Sequence, residues 1–296
     1  MLLSNLTQWV GSKLSAKEAV TINAEAGFDA YDISLFQLTR DENYEFNQPD
    51  YIERAKELRS YADSLGIVCN QSHAPYPSST GKEEEDKVIF EKIVRAMEIA
   101  SILGAKIIVV HPKQHLCYPD HPEELFHLNV EFYKSLIPYC EKFNIKVATE
   151  NMWQWNNGNK VPSDSTCSRA WEFNKYIDAV DSEWIVGCLD IGHVSLMNAN
   201  IPDFIRQMGN RRLQALHVHD TDYKVDKHTL PFMEKIDFIA MCEALAEIDY
   251  KGDFTYEADN FYRGKPEELY PATTKYMCEV GRYLISVFEK AKQKAL

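Results

Sequence analysis

The segment Ala105-Lys-Ile-Ile-Val-Val-His-Pro112 combines an apolar, β-branched run with a polar end. A strand with one face in water alternates apolar and polar residues, whereas a strand in a parallel sheet is covered on both faces and is apolar almost throughout. Residues 105–110 follow the second pattern, and His111 comes directly after them. The segment therefore predicts a buried parallel strand that presents a histidine at its carboxyl end.

Seven further short runs have the composition of strands, and longer segments with helical spacing of apolar residues separate most of them. The strand-like runs are Leu2–Ser4, Phe28–Phe36, Ile67–Cys69, Lys146–Thr149, Trp184–Leu189, Leu213–His217 and Asp253–Glu257. The helical segments are Asp50–Ser64, Glu83–Leu103, Pro122–Phe143, Thr166–Val180, Pro202–Met208 and Asp237–Ile248. Alternating strand and helix signals predict a parallel α/β fold, and eight units favour closure into a single (β/α)8 TIM barrel.

The same pattern runs through residues 1–296 without a Ser/Gly linker or low-complexity tract, so we expect one domain. It ends in a long helical segment from about residue 266, Pro266 to Lys292. The polar, Asn-rich segment from Trp153 to Ser165 predicts a long loop after a strand. A doubly wound sheet is the alternative, but the chain lacks the G-x-G-x-x-G turn that is typical of that fold.

Composition limits the partners and the compartment. The formal net charge of −13 disfavours contact with a nucleic-acid backbone, so no nucleic-acid partner is expected. The seven scattered cysteines form no C-x-x-C pair, which is typical of reduced thiols in the cytoplasm. The sequence shows neither a signal-peptide pattern nor an apolar run of about 18 residues, so we expect no membrane association. The long C-terminal segment leaves a homo-oligomer open.

Six consecutive predicted strands end in side chains that bind metals or move protons. In chain order these are His73, His111, Glu150, Asp190 with His193, His217 with His219, and Glu257. The carboxyl ends of barrel strands meet at one rim, where active sites lie. Carboxylates held close together disfavour one another's ionisation, and a divalent cation relieves that conflict. Two glutamates, an aspartate and a histidine suit one divalent ion of Mn, Mg, Co or Zn.

The order of these motifs resembles that of the xylose isomerase-like barrel superfamily. The motifs are Ser72-His73-Ala-Pro75, Val110-His111-Pro112, Glu150-Asn151, Leu189-Asp190-Ile-Gly-His193, His217-Val-His-Asp220 and Tyr256-Glu257. The resemblance implies that Glu150, Asp190, His217 and Glu257 bind the metal, and that Glu150 and Glu257 are also the catalytic proton-transfer groups. We prefer His217 to His219 because His217 fits the H-x-x-D pattern of the seventh strand.

The resemblance also implies a function: metal-dependent isomerisation or epimerisation of a small sugar or sugar-like substrate. A base removes the proton beside a carbonyl, and the metal stabilises the charge of the resulting enediolate. The residues expected to contact the substrate are His73, His111, Trp153, His193, Asp226 and His228. Phe36 and Trp155 are candidates for an apolar wall, and Lys113 is a candidate for a contact to a hydroxyl or phosphate group.

Three other functions remain open. An inosose-type dehydratase would use the same site and the same intermediate to expel a hydroxyl group. A multi-zinc phosphodiesterase, like the apurinic-site endonucleases, would use Asp226-Lys-His228 with His73 and His111 as extra ligands. A non-catalytic sugar-binding barrel would not need both Glu150 and Glu257. Ketose 3-epimerases carry an arginine where Tyr223 stands here, which disfavours that specific assignment.

Overall fold

The computed structural model describes residues 1–295 and contains ten strands. They are β1 (Leu3–Leu6), β2 (Ala30–Ser34), β3 (Val68–His73), β4 (Ile107–Val109), β5 (Lys146–Glu150), β6 (Trp153–Asn156), β7 (Val161–Asp164), β8 (Ile185–Asp190), β9 (Leu213–His217) and β10 (Phe254–Tyr256). The eight strands other than β6 and β7 lie close to the eight predicted runs. β3 extends further than predicted, so that His73 is its last residue.

The eight strands pair in parallel in the order β10-β1-β2-β3-β4-β5-β8-β9. A bridge between the two end strands closes this sheet: Val218 N–H donates to Thr255 O at 2.9 Å, and Glu257 N–H donates to Val218 O at 3.2 Å. All the carboxyl ends therefore face one rim. The predicted single (β/α)8 TIM barrel is confirmed.

Helices surround the barrel. They are α1 (Ala16–Ala26), α2 (Gln37–Arg40), α3 (Tyr51–Ser64), α4 (Glu83–Leu103), α5 (Pro122–Phe143), α6 (Ala170–Val180), α7 (Ile191–Leu196), α8 (Ile201–Arg212), α9 (Phe238–Glu247) and α10 (Tyr270–Ala295), with 3₁₀ turns at Glu45–Asn47, Asp259–Tyr262 and Glu267–Leu269. The chain reverses after α4 at Gly104, whose φ of 101° places it in the left-handed region that favours glycine. The large hydrophobic core lies between the helices and the strands.

α10 is the helix predicted from about residue 266. It packs on α1 and α9, and Arg282 donates to both carboxylate oxygens of Asp29 at 2.6 and 2.7 Å. Among residues 1–295, every helix is too short or too polar to span a bilayer. All seven cysteines are free thiols.

The segment Trp153–Ser165, for which the composition predicts a long loop, contains two short strands. β6 and β7 pair as an antiparallel hairpin, with Trp153 opposite Asp164 and Asn156 opposite Val161. Asn156 stabilises the turn because its Oδ1 accepts from the N–H groups of Gly158 and Asn159, each at 3.0 Å. The hairpin therefore stands at the rim as an ordered element next to the strand ends.

Candidate functional site

Four of the barrel strands bring the predicted metal ligands together. Glu150, Asp190 and His217 are the last residues of β5, β8 and β9, and Glu257 follows β10. One ligand atom from each of the four lies within 4.8 Å of the others. Parallel strands with neighbouring carboxyl ends produce this convergence.

The ring of His217 lies between the two glutamates. Its Nδ1 is 3.3 Å from Glu150 Oε2 and 3.3 Å from Glu257 Oε2. Both His217 Nδ1 and Glu150 Oε2 are buried atoms without a hydrogen-bond partner. Unpaired buried polar atoms are costly, and a shared cation would satisfy both of these. The residues present therefore fit a divalent ion with mainly oxygen ligands.

Asp190 also organises the start of α7. Its Oδ1 accepts from His193 N–H at 2.7 Å, as an N-cap residue does. Both of its carboxylate oxygens are 3.0 Å from Nε2 of His219. His219 in turn stacks on His228, with ring centroids 4.0 Å apart. His219 was the reserve candidate to His217 in the sequence, and the structure places it against Asp190.

Two further histidines approach Glu150 from β3 and the end of β4. Nε2 of His73 and Nε2 of His111 are 2.9 Å apart. They lie 3.7 and 3.1 Å from Glu150 Oε2, respectively. His73, His111 and Glu150 thus form a second group whose geometry could hold a metal ion.

A third group lies around Asp226. Its Oδ2 is 3.4 Å from His193 Nε2 and 3.1 Å from His228 Nε2, and it accepts from Trp153 Nε1 at 3.2 Å. His193, His219, Asp226 and His228 also satisfy the distances of a metal site. All ten residues that the sequence predicted for the site therefore lie in one connected cluster.

The two glutamates have opposite electrostatic surroundings. Burial raises the pKa of Glu257 to about 8, although His217 and His228 act against it. Burial would also raise the pKa of Glu150, but His217 and His111 beside it hold that pKa well below its usual range. Burial also disfavours the charged form of His111 and lowers its pKa to about 4. The surroundings of the two glutamates therefore favour the ionised form of Glu150 and the protonated form of Glu257.

A cleft of about 470 Å³ opens above this cluster. It is lined by Phe36, Tyr76, His111, Gln114, Glu150, Met152, Trp153, Gln154, Trp155, His193, Asp226, His228 and Glu257. Within residues 1–295, no lysine or arginine is among the residues that line it. Lys113, which the sequence made a candidate for substrate contact, instead has its Nζ 5.2 Å from the ring of Phe132. A larger cleft, of about 770 Å³, lies at the opposite end of the barrel, away from the cluster.

The model of the family described as xylose isomerase-like TIM barrel matches residues 20–280. The chain belongs to this family. An uncharacterised protein of Methanocaldococcus jannaschii is 27% identical to it over 244 residues, covering 80% of this chain and 77% of the relative. An uncharacterised protein of Sinorhizobium fredii is 23% identical over 259 residues, covering 81% and 80% of the two chains.

Solved structures similar to this xylose isomerase-like barrel include several sugar epimerases. A D-tagatose 3-epimerase-like protein superposes with a TM-score of 0.76 at 21% identity, covering 98% of this chain and 99% of the other. A D-psicose 3-epimerase has a TM-score of 0.74 at 13% identity, covering 96% and 99%. The 3-keto-D-glucoside 4-epimerase YcjR of E. coli has a TM-score of 0.72 at 17% identity, covering 94% and 99%. At these identities the likeness shows the shared fold.

Sequence reasoning missed two buried polar residues beside the ligands of this barrel. Asp32 lies within β2, and its Oδ2 is 3.9 Å from His217 Nε2. Cys188 lies within β8, close enough to Glu150 and His217 to count as a third ligand. Both residues are inside strands rather than at strand ends. The signal in the sequence was a charged or soft side chain within a run of buried residues.

Proposed function

We propose that this xylose isomerase-like barrel is a divalent-metal-dependent isomerase or epimerase of a small, uncharged sugar or sugar-like ketone. One observation carries the proposal: the buried Glu150 and the partly buried Glu257 each lie 3.3 Å from the same histidine nitrogen. Binding a sugar would not require this costly pairing, whereas moving a proton between two positions does. The epimerase neighbours add support through their names and shared fold.

Glu150, Asp190, His217 and Glu257 would hold the ion. When bound there, a divalent ion would polarise a substrate carbonyl and make the adjacent C–H bond more acidic. Glu150 and Glu257 exchange protons with the substrate carbon. The two carboxyls differ in proton affinity, because His217 and His111 lower the pKa of Glu150 whereas burial raises that of Glu257.

The cleft supports an uncharged substrate. Aromatic side chains, among them Phe36, Trp153 and Trp155, supply apolar surface for the C–H face of a sugar. Histidine, glutamine and carboxylate groups supply partners for hydroxyls. The lysine and arginine side chains that commonly bind a phosphorylated sugar do not line the cleft within residues 1–295.

The direct test is proton exchange rather than a product assay, because exchange reports the common first step. Purified protein, loaded separately with Mn²⁺, Co²⁺, Mg²⁺ or Zn²⁺, is incubated in D₂O with a panel of ketoses, aldoses and inosose-type ketones. NMR should show deuterium entering at the carbon beside the carbonyl of at least one compound. A product with an inverted stereocentre identifies an epimerase, and a product whose carbonyl group has moved to the neighbouring carbon identifies an isomerase. A product that has lost water identifies a dehydratase.

Glu257→Gln is the informative variant, and Glu172→Gln is its matched control. Glu172 is also a buried carboxylate, but it accepts from Tyr118 Oη at 2.8 Å and from Cys167 N–H at 2.9 Å, with no contact to the proposed ligands. Exchange should disappear in Glu257→Gln and persist in Glu172→Gln. No exchange with any metal and any compound of the panel, in folded protein that binds a metal, would contradict the proposal.

A multi-zinc phosphodiesterase is the second candidate, because three groups of side chains, two of which share Glu150, have metal-site geometry. They are the His73 group, the Glu150–Asp190–His217–Glu257 group and the Asp226 group. The acidic net charge disfavours it, as does the absence, among residues 1–295, of lysine and arginine from the cleft lining. Close to three zinc ions per chain, with cleavage of an abasic-site oligonucleotide, would favour this function. Binding of about one ion without cleavage would favour the isomerase.

A further inference from the structure

Asp32 is a buried carboxylate in the barrel interior that the proposed mechanism does not use. Its side chain is almost completely buried, and Oδ1 has no hydrogen-bond partner. Oδ2 accepts one hydrogen bond, from Gln71 Nε2 at 3.0 Å. A buried carboxylate with one free oxygen is costly for stability, which calls for a functional reason.

The local backbone is irregular where Asp32 faces the interior. In the pairing of β2 with β3, Tyr31 is opposite Cys69 but Asp32 is opposite Gln71, so Asn70 is unpaired in the register. Such β-bulges re-aim side chains and are common beside active sites. The bulge sets Asp32 opposite its hydrogen-bond donor, Gln71.

Asp32 lies on the far side of His217 from the two glutamates. His217 presents Nδ1 to Glu150 and Glu257, and it presents Nε2 to Asp32 Oδ2 at 3.9 Å. A separation of 3.9 Å is an electrostatic contact rather than a hydrogen bond. A histidine that binds a metal must have an unprotonated ligand nitrogen, and the group beside its other nitrogen selects that tautomer.

We propose that Asp32 is a positioning residue: its carboxylate holds the proton of His217 on Nε2 and orients the ring, so that Nδ1 is available to the metal. This inference rests on the proposed metal site. Asp32 acts only through His217, because its carboxylate lies behind the ring and it is not among the residues that line the cleft.

A structural role and a positioning role of Asp32 predict opposite effects of its substitution on the stability of the metal-free protein. If Asp32 mainly stabilised the fold, its removal would destabilise the metal-free protein. If it mainly positions His217, a neutral side chain of similar volume removes a carboxyl group that is costly to bury and leaves the melting temperature unchanged or higher. The amide introduced by Asp32→Asn can also donate to Nε2, which favours the tautomer that does not bind metal.

The experiment measures metal affinity by competition titration of Zn²⁺ and Co²⁺, the Co²⁺ absorption spectrum, and the melting temperature of the metal-free protein. For Asp32→Asn we expect affinity to fall about 10–100-fold and the Co²⁺ spectrum to change. We expect Asp32→Leu to weaken binding similarly, and Asp32→Glu to recover part of it. Glu172→Gln, the buried-carboxylate control, should bind like the wild type.

The outcomes separate this inference from the proposed function. A wild-type protein that binds no metal would refute the metal-dependent function itself. A wild type that binds metal, with folded Asp32→Asn and Asp32→Leu binding it equally well, would refute only the role of Asp32. A fall in melting temperature in both variants, with unchanged affinity in the folded fraction, would assign Asp32 to structure.

Discussion

Gly192, the second residue of α7, is a position where one methyl group should disrupt the site. A Cβ there would lie 1.9 Å from Cε1, 2.5 Å from Nε2 and 2.6 Å from Nδ1 of His219. The position of His219 is constrained, because its Nε2 is 3.0 Å from both oxygens of Asp190 and its ring stacks on His228. Gly192→Ala must therefore displace His219 or shift α7.

The magnitude follows from three contributions. Overpacking a well-filled interior costs about 1–3 kcal/mol. Displacing a hydrogen bond to a charged group costs about 1.5–3 kcal/mol. The higher helix propensity of alanine offsets about 1 kcal/mol. We expect a net loss of about 2–5 kcal/mol, which corresponds to a melting temperature lower by about 3–8 °C at the usual unfolding entropy for a chain of this length.

A double-mutant cycle tests the cause. Thermal unfolding of the metal-free protein is followed by circular dichroism for Gly192→Ala, His219→Ala and the double variant. Once the imidazole is absent, the methyl group has space, so Gly192→Ala should be neutral or stabilising by up to about 1 kcal/mol in that background. An equal loss of stability in both backgrounds would refute the steric reasoning.

Three further predictions concern the ligands, the metal and the closure of the barrel. Glu150→Gln and Glu257→Gln should each lower turnover by at least about 10²-fold and weaken metal retention, measured by steady-state assay and elemental analysis; an active, fully metallated double variant would contradict both roles. Removal of the metal by a chelator should lower the melting temperature, and re-addition of the metal should restore it. The lost free energy of unfolding is about 2.7 kcal/mol if the ion is present at 100 times its Kd. A melting temperature that does not change with chelator would argue against a bound ion. For Asp29, burial acts to raise the pKa, but the hydrogen bonds from Arg282 and Leu3 lower it below its usual 3.8. A lowered carboxylate pKa stabilises the fold above about pH 4 and ceases to do so as the pH falls through the folded-state value. Urea unfolding should therefore show Asp29→Asn to be less stable than wild type by about 1 kcal/mol at pH 7, with a smaller difference at pH 3; a difference independent of pH would show that the charge is irrelevant.

Much of the barrel could be predicted because its strands are buried on both faces. Residues 108–110 and 185–189 are all buried, so no exposed position breaks the apolar pattern, and both the strand and its polar end can be recognised in the sequence. Helix α1 was missed although its signals are in the sequence. Ser15 and Glu18 form a capping box, and Gly27 ends the helix with a φ of 95°.

The predicted ligands came from strand ends, and the residues that were missed are those whose role depends on neighbours distant in sequence. Asp32 acquires a partner only because a bulge in the pairing sets it opposite Gln71 and because β9 brings His217 near. The polar, Asn-rich composition of the β6–β7 hairpin predicts a loop, because it lacks the apolar alternation of a strand. Those same asparagines stabilise a turn between short pairing strands.

The hydrogen bond between that hairpin and Asp226 makes the fluorescence of Trp153 sensitive to what occupies the cleft. Trp153 Nε1 donates to Asp226 Oδ2, the same oxygen that His193 and His228 approach. A ligand that takes this oxygen must displace the indole, and the hairpin then loses a tie to the opposite side of the rim. Indole emission responds to the loss of a neighbouring carboxylate, so occupancy of the cleft can be followed by fluorescence in the unlabelled protein.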